Sequence, residues 1–248
     1  MNLNKLLEIA KREGATEAEV YYSSSKMTSF EIYEQDMDSY SSSINHGYSI
    51  RALFGGKCGI SYSEDLSNEA FEACVQRCKE NASINESEDI VEFAKPQPVH
   101  EVQTYHPELN EIDLDEMKQL MMDIEREVKE RDSRIISVSN CSFEMSENEC
   151  IIKNTLGVDL KRRINFVVAV VGCEAKDENG VVSAFKIEVC FDLAKLNKEK
   201  FVNEVTEEVI SKLSPKRLIS GQYPVILKNK VSSSLLGSLS GMFNAENI

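Results

Sequence analysis

The sequence predicts an α+β fold: antiparallel sheets layered with helices, in a helix–strands–helix layout that occurs twice. Three observations carry this. Apolar residues recur at helical spacing in short, separate segments. Between these segments, apolar and polar residues alternate with period two, and glycine-containing pairs suited to tight hairpins join the runs. The strand-like segments come in consecutive runs flanked by helices, which argues for antiparallel pairing and against a parallel α/β sheet. The chain has 248 residues, enough to bury a sizeable core.

The first unit covers residues 1–95. Leu3, Leu6, Leu7 and Ala10 stand at i, i+3, i+4 and i+7 and predict an amphipathic helix closed by Gly14. In SFEIYEQ, Phe30 and Ile32 alternate with Glu31 and Tyr33. In GYSIRALF, Tyr48, Ile50, Ala52 and Phe54 share a face, and His46 just before it falls at a turn. Gly55-Gly56 suits a two-residue hairpin because both positions accept positive φ, and KCGISY returns as the next strand. Ser67 is placed to N-cap a helix with the stripe Phe71, Cys74, Val75 and Cys78.

Residues 96–110 read as a linker, with Pro96, Pro98 and Pro107 among polar residues. The second unit, 111–218, repeats the layout. Asp113 or Asp115 opens a helix with Met117, Leu120, Met121, Ile124 and Val128 inward. IISVSNCSFEM, ECIIKN, GVDLK and INFVVAVVGC read as strands, and the continuous apolar run Phe166 to Val171 suits a strand buried on both faces. Asn179-Gly180 marks a hairpin before a strand alternating Phe185, Ile187, Val189 and Phe191 with polar residues. A helix with Val202, Val205, Val209 and Leu213 inward stops before Pro215. Residues 219–248 hold a short apolar strand, YPVILK, and a helix with Leu235, Leu236, Leu239 and Phe243 on one stripe. The small residues Gly237 and Gly241 suit close helix packing.

Charge and composition narrow the function classes. The net charge of −14 argues against direct nucleic-acid binding, which needs Lys and Arg against phosphates. The one basic cluster, Lys161-Arg162-Arg163, reads as a solvated strand surface. No apolar run approaches the roughly 18 residues of a membrane span. The N-terminus carries neither a secretory nor a transit signature, and seven cysteines within apolar patterns suit a reducing compartment. A cytoplasmic protein without membrane contact is the expectation.

Candidate chemistry is sparse. VHEVQTYHPEL holds His100, Glu101 and His106, but the two histidines are six apart, about 120° off a shared helical face, and prolines bracket the segment. Cys74 and Cys78 lie one helical turn apart, with no second pair and no nearby histidine to complete a metal site. There is no phosphate-cradling glycine loop. The serine runs Ser23–Ser25 and Ser41–Ser43 read as exposed strand decoration. From the residues alone, there is no catalytic set and no metal site.

Four stretches carry a resemblance. They are GATEAEVYYSSS, then NHGYSIRALFGGKCGISYSEDLSNEAFEACVQRC, the NTLG turn at Asn154 to Gly157, and GQYPVILKNKVSSSLLGSLSGMFNAENI. In this order they resemble the N-terminal half of the TldD/PmbA (TldE) metallopeptidase family. The resemblance implies that 219–248 begins a C-terminal domain truncated here, so that the chain is a fragment. TldD-type members carry a His-Glu-x-x-x-His metal motif on the helix after this strand. Aligned on Leu235-Leu236, its positions fall on Gly237, Ser238 and Met242. The resemblance therefore implies a PmbA/TldE-type chain that is inactive alone and has no cofactor of its own. Zn²⁺ is expected only in a TldD-type metallopeptidase partner, the pair acting on peptide substrates or unfolded proteins. The family is also described as a modulator of DNA gyrase, so a pure interaction module is the alternative, and an unrecognised peptidase site in this chain is a third.

Overall fold

The computed structural model describes residues 2–87 and 91–243. Two compact units divide the chain at residues 214 and 215. In the first, helix α1 (Leu3–Arg12) leads into strands β1 (Glu17–Tyr33), β2 (Asp36–Phe54) and β3 (Lys57–Ser63), then α2 (Asn68–Ile84). Helix α3 (Leu114–Arg131), strands β4 (Ile135–Asn154), β5 (Asp159–Asp177) and β6 (Gly180–Cys190), and helix α4 (Lys198–Ser211) complete it. The α+β expectation holds. The two predicted helix–strands–helix halves share one six-stranded sheet of order β3-β2-β1-β4-β5-β6, antiparallel at every pairing.

Helix ends follow local chemistry. The Ser67 hydroxyl accepts from the Ala70 amide, and the Asp113 carboxylate accepts from the amides of Asp115 and Glu116. Gly14, at φ 97°, turns the chain out of α1. Gly55 and Gly56, both at positive φ, make the β2–β3 hairpin.

The central strands are much longer than their apolar runs. IISVSNCSFEM and ECIIKN belong to one strand, β4, and GVDLK and INFVVAVVGC contribute to another, β5. Length comes from bridging two cores. In β1, the buried Ala18 and Val20 lie at one end and Phe30 and Ile32 at the other, with Ser24, Lys26 and Thr28 between them on the same face. Helices α1 and α2 cover the first pair together with Tyr48, Ile50 and Ala52. Helices α3 and α4 cover the second pair with Phe143, Val167, Ala169 and Val171. Ring packing fixes both ends: Tyr48 meets Phe71 edge-on at 5.1 Å, and Phe30 stacks on Phe143 at 5.5 Å.

The hairpin between β1 and β2 uses Glu34 (φ 50°) and Gln35 (φ 63°), neither a glycine nor an asparagine. Its cost is offset from α3. The buried carboxylate of Glu125 accepts from the amides of Glu34 and Gln35, at 2.8 Å each, and from the Gln35 side chain at 2.7 Å.

Several expectations need correction. His46 is not at a turn; it lies within β2, opposite Ser24. The run Phe166–Val171 is not buried on both faces. Val167, Ala169 and Val171 are buried, whereas Phe166, Val168 and Val170 lie on the face of the sheet opposite α1 to α4. Residues 223–228, YPVILK, form no strand among the described residues. A strand needs a neighbour to bond its amides, and Pro224 lacks one donor. Much of the expected linker is a docked strap: its Thr104 carbonyl accepts from the Asn165 amide, its Thr104 hydroxyl donates to the Arg163 carbonyl, and the Asn165 side chain holds both backbone groups of His106. The strap thus covers the edge of β5 that β6 leaves open, since β6 pairs only with Val167–Asp177.

The second unit, residues 215–248, contains α5 (Asn229–Ser240), which has no buried residue. Leu235, Leu236 and Phe243 are 52%, 67% and 84% exposed. A Cβ added at Gly237 meets nothing within 4 Å, so the expected close packing is not present among the described residues. Among the described residues, no helix is long and apolar enough to cross a membrane.

Candidate functional site

Gly237 and Ser238 lie on α5, and Met242 on the single 3-10 turn after it, Gly241–Phe243. The Ser238 hydroxyl donates back to the Ser234 carbonyl at 2.8 Å. An absent side chain, a tied alcohol and a thioether do not make the nitrogen, thiolate or carboxylate set that Zn²⁺ takes. The residues do not fit the metal.

The other sequence candidates are dispersed. His100 and Glu101 are exposed on the strap. His106 packs its ring 5.8 Å from that of Phe191, with Nδ1 3.5 Å from Glu108. Cys74 and Cys78 lie on the buried face of α2, where their thiols donate to the Ser61 hydroxyl and the Ile50 carbonyl. Burial pushes the Cys78 thiol up to about 12, far from metal-binding thiolate character. No group of three His, Cys, Asp or Glu is placed to hold a metal among the described residues.

The basic cluster resolves by strand alternation. Lys161 and Arg163 turn to the helix-covered face. Lys161 pairs with Glu149 at 2.7 Å, and Arg163 pairs with Glu147 at 2.6 Å while its guanidinium lies 3.9 Å over the Tyr105 ring. Arg162, between them, turns to the other face, where it is exposed and, among the described residues, has no ion-pair partner within 4.0 Å.

Arg162 borders a cavity of about 740 Å³ lined mainly from the face opposite α1 to α4. Its floor is one cross-strand row of directly paired residues: Gly47 on β2, Ser23 on β1, Cys150 on β4 and Arg162 on β5. Three of the four are small. One wall carries Tyr21 and Tyr62, the other Asn45, Ser25, Asn148 and Ile164. At the end away from Arg162, Glu64 reaches over the floor, its Cγ 3.7 Å from where a Cβ would sit on Gly47. The site is thus a trough across the strands, with hydroxyls and amides on its sides and opposite charges at its ends. Sequence reasoning missed it. The available signal was the small residue in each of three strands, and strand register alone brings these into one row.

The description "PmbA/TldA metallopeptidase domain 1" matches residues 18–82, and that of the central domain of the same family matches residues 107–213. A metalloprotease PmbA homolog of Haemophilus influenzae is 23% identical over 93% of this chain and 51% of its own length. An uncharacterised protein of Methanocaldococcus jannaschii is 25% identical over 100% of this chain and 56% of its own length. The chain therefore spans about half the length of the curated relatives it matches. Among solved structures, a candidate modulator of DNA gyrase from Bacteroides thetaiotaomicron superposes with a TM-score of 0.88 at 21% identity, over 97% of this chain and 56% of that one. TldE from Thermococcus kodakarensis gives 0.74 at 17%, over 84% and 47%. These two likenesses establish the fold.

Proposed function

Starting from a chain that belongs to the PmbA/TldD metallopeptidase family, we propose that it is a PmbA/TldE-type, non-catalytic subunit that works with a TldD-type metallopeptidase on peptides or unfolded proteins. One observation carries the reading: the positions aligned with the metal motif are Gly237, Ser238 and Met242, which lack ligand and base chemistry. In this reading Zn²⁺ belongs to the partner, and the chain contributes binding surface. The reading also carries a cytoplasmic location, where seven unpaired thiols stay reduced.

The test is reconstitution. This chain is mixed with a family subunit that has an intact His-Glu-x-x-x-His motif, and the mixture is followed by size exclusion and peptide hydrolysis. Co-elution is expected, with hydrolysis only in the mixture. Failure to associate at micromolar concentration, or hydrolysis by the lone chain at the rate of the mixture, overturns the reading. A second reading, an interaction module for DNA gyrase, draws on the described role of one structural relative and on the net charge of −14. Capture of gyrase, with no capture of a TldD-type subunit, favours it.

A further inference from the structure

We infer that the trough on the face opposite α1 to α4 binds a short peptide with free termini, about four residues long, its carboxylate at Arg162 and its ammonium at Glu64. Four observations lead there. The row from Gly47 to Arg162 crosses three strand-to-strand spacings, about 14 Å, which is the length of an extended chain of about four residues. The ends of the trough carry opposite charges: Glu149 also lines it but is paired with Lys161 at 2.7 Å, whereas neither Arg162 nor Glu64 has an ion-pair partner within 4.0 Å among the described residues. The guanidinium is suited to grip a carboxylate through two parallel hydrogen bonds. The floor between them, Gly47, Ser23 and Cys150, is small and uncharged, so a backbone can settle onto it.

The walls fit the same ligand. Asn45 and Asn148 each offer both a donor and an acceptor, as a peptide backbone requires, and select no particular side chain. Tyr62, 78% exposed, adds an aromatic surface along one side. A longer or end-blocked peptide loses one terminal charge contact and leaves a charged side chain facing an uncharged group. The trough thus measures length through its two ends. This inference adds a peptide class to the proposed function. It does not depend on subunit pairing, because binding is measured on this chain alone.

The experiment is calorimetric titration of the chain with an unblocked Ala-Ser-Gly-Ala peptide, its N-acetylated form and its C-amidated form. The unblocked peptide is expected to saturate the site, and each block to weaken binding about tenfold or more. In Arg162→Gln the amidated and free peptides should bind alike, and in Glu64→Gln the acetylated and free peptides should bind alike. Both replaced side chains are exposed, and circular dichroism checks that the fold is intact. A second readout uses Cys150 on the floor. In a Cys58→Ser background, the unblocked peptide should slow alkylation of Cys150, and the doubly blocked peptide should not. Equal affinity for blocked and unblocked peptides, no saturation up to about 10 mM, or unprotected Cys150 would each overturn the assignment.

Discussion

The two faces of the sheet are built from the same strands and do different work. On the helix-covered face, β1 contributes Ala18, Val20, Phe30 and Ile32, each at most 3% exposed. On the other face the same strand contributes Tyr21, Ser23 and Ser25, and β6 leaves Phe185, Ile187 and Val189 at 63%, 47% and 51% exposure. Period-two alternation makes such a division available to any strand. Here it separates stability from recognition. The floor residues Gly47, Ser23, Cys150 and Arg162 belong to neither buried cluster, so they are free to be small, hydroxylated or charged without weakening the cores.

That separation breaks down if substitutions on the two faces cost the same. The largest loss is expected from Phe143→Ala, which empties a fully buried position stacked on Phe30 and should cost about 3–5 kcal/mol in denaturant unfolding. Gly59→Ala follows. A Cβ there would lie 2.8 Å from the Ala82 nitrogen and 2.9 Å from the Cys78 carbonyl carbon, closer still to that carbonyl's oxygen. Helix α2 must then lift off β3, at about 1–3 kcal/mol or more. Glu125→Ala strands the amides of Glu34 and Gln35 and should cost about 1–3 kcal/mol, with faster hydrogen exchange confined to that hairpin. Ile187→Thr, on the face opposite α1 to α4, should stay within about 0.5 kcal/mol of the parent. A loss there comparable to that of Phe143→Ala would mean the open face is a structural layer.

The smallest effect sharpens the comparison through pH. Asp132, between α3 and β4, is held down to about 2, first by the side-chain hydrogen bond from Arg134 and then by the Arg134 amide. A carboxylate with a folded value below its unfolded value of about 3.9 supports the fold above that value. The support fades as pH falls through about 2. Asp132→Asn should therefore flatten the acid limb of the stability profile and leave the trough's peptide binding unchanged at neutral pH. An unaltered acid limb would assign the acid sensitivity to other carboxylates.

Local chemistry made much of the fold legible in the sequence. Helix stripes, the Ser67 cap and the Gly55-Gly56 hairpin depend on a few neighbouring residues and match the structure, and of the two candidates Asp113 and Asp115 it is Asp113 that caps α3. The Glu34-Gln35 turn was not legible, because its positive φ values are held by Glu125, some ninety residues away. His46 suits a turn by its local sequence, yet it belongs to a strand whose partners lie elsewhere in the chain.

By itself, then, the sequence determined the α+β class, the inward stripes of α1 to α4 and the family, since all of these follow from periodicity and short motifs. Tertiary structure alone decided that the two halves share one sheet, that β4 and β5 run unbroken between two cores, and that α1 to α4 all pack on the same face of it. It also decided which residue of Lys161-Arg162-Arg163 is left without a partner, and that Gly47, Ser23 and Cys150 fall into line with Arg162. The physical reason is register. A one-residue slip in any pairing sends a strand's whole set of side chains to the other face, and register is fixed by cores and turns that lie far from the trough along the chain.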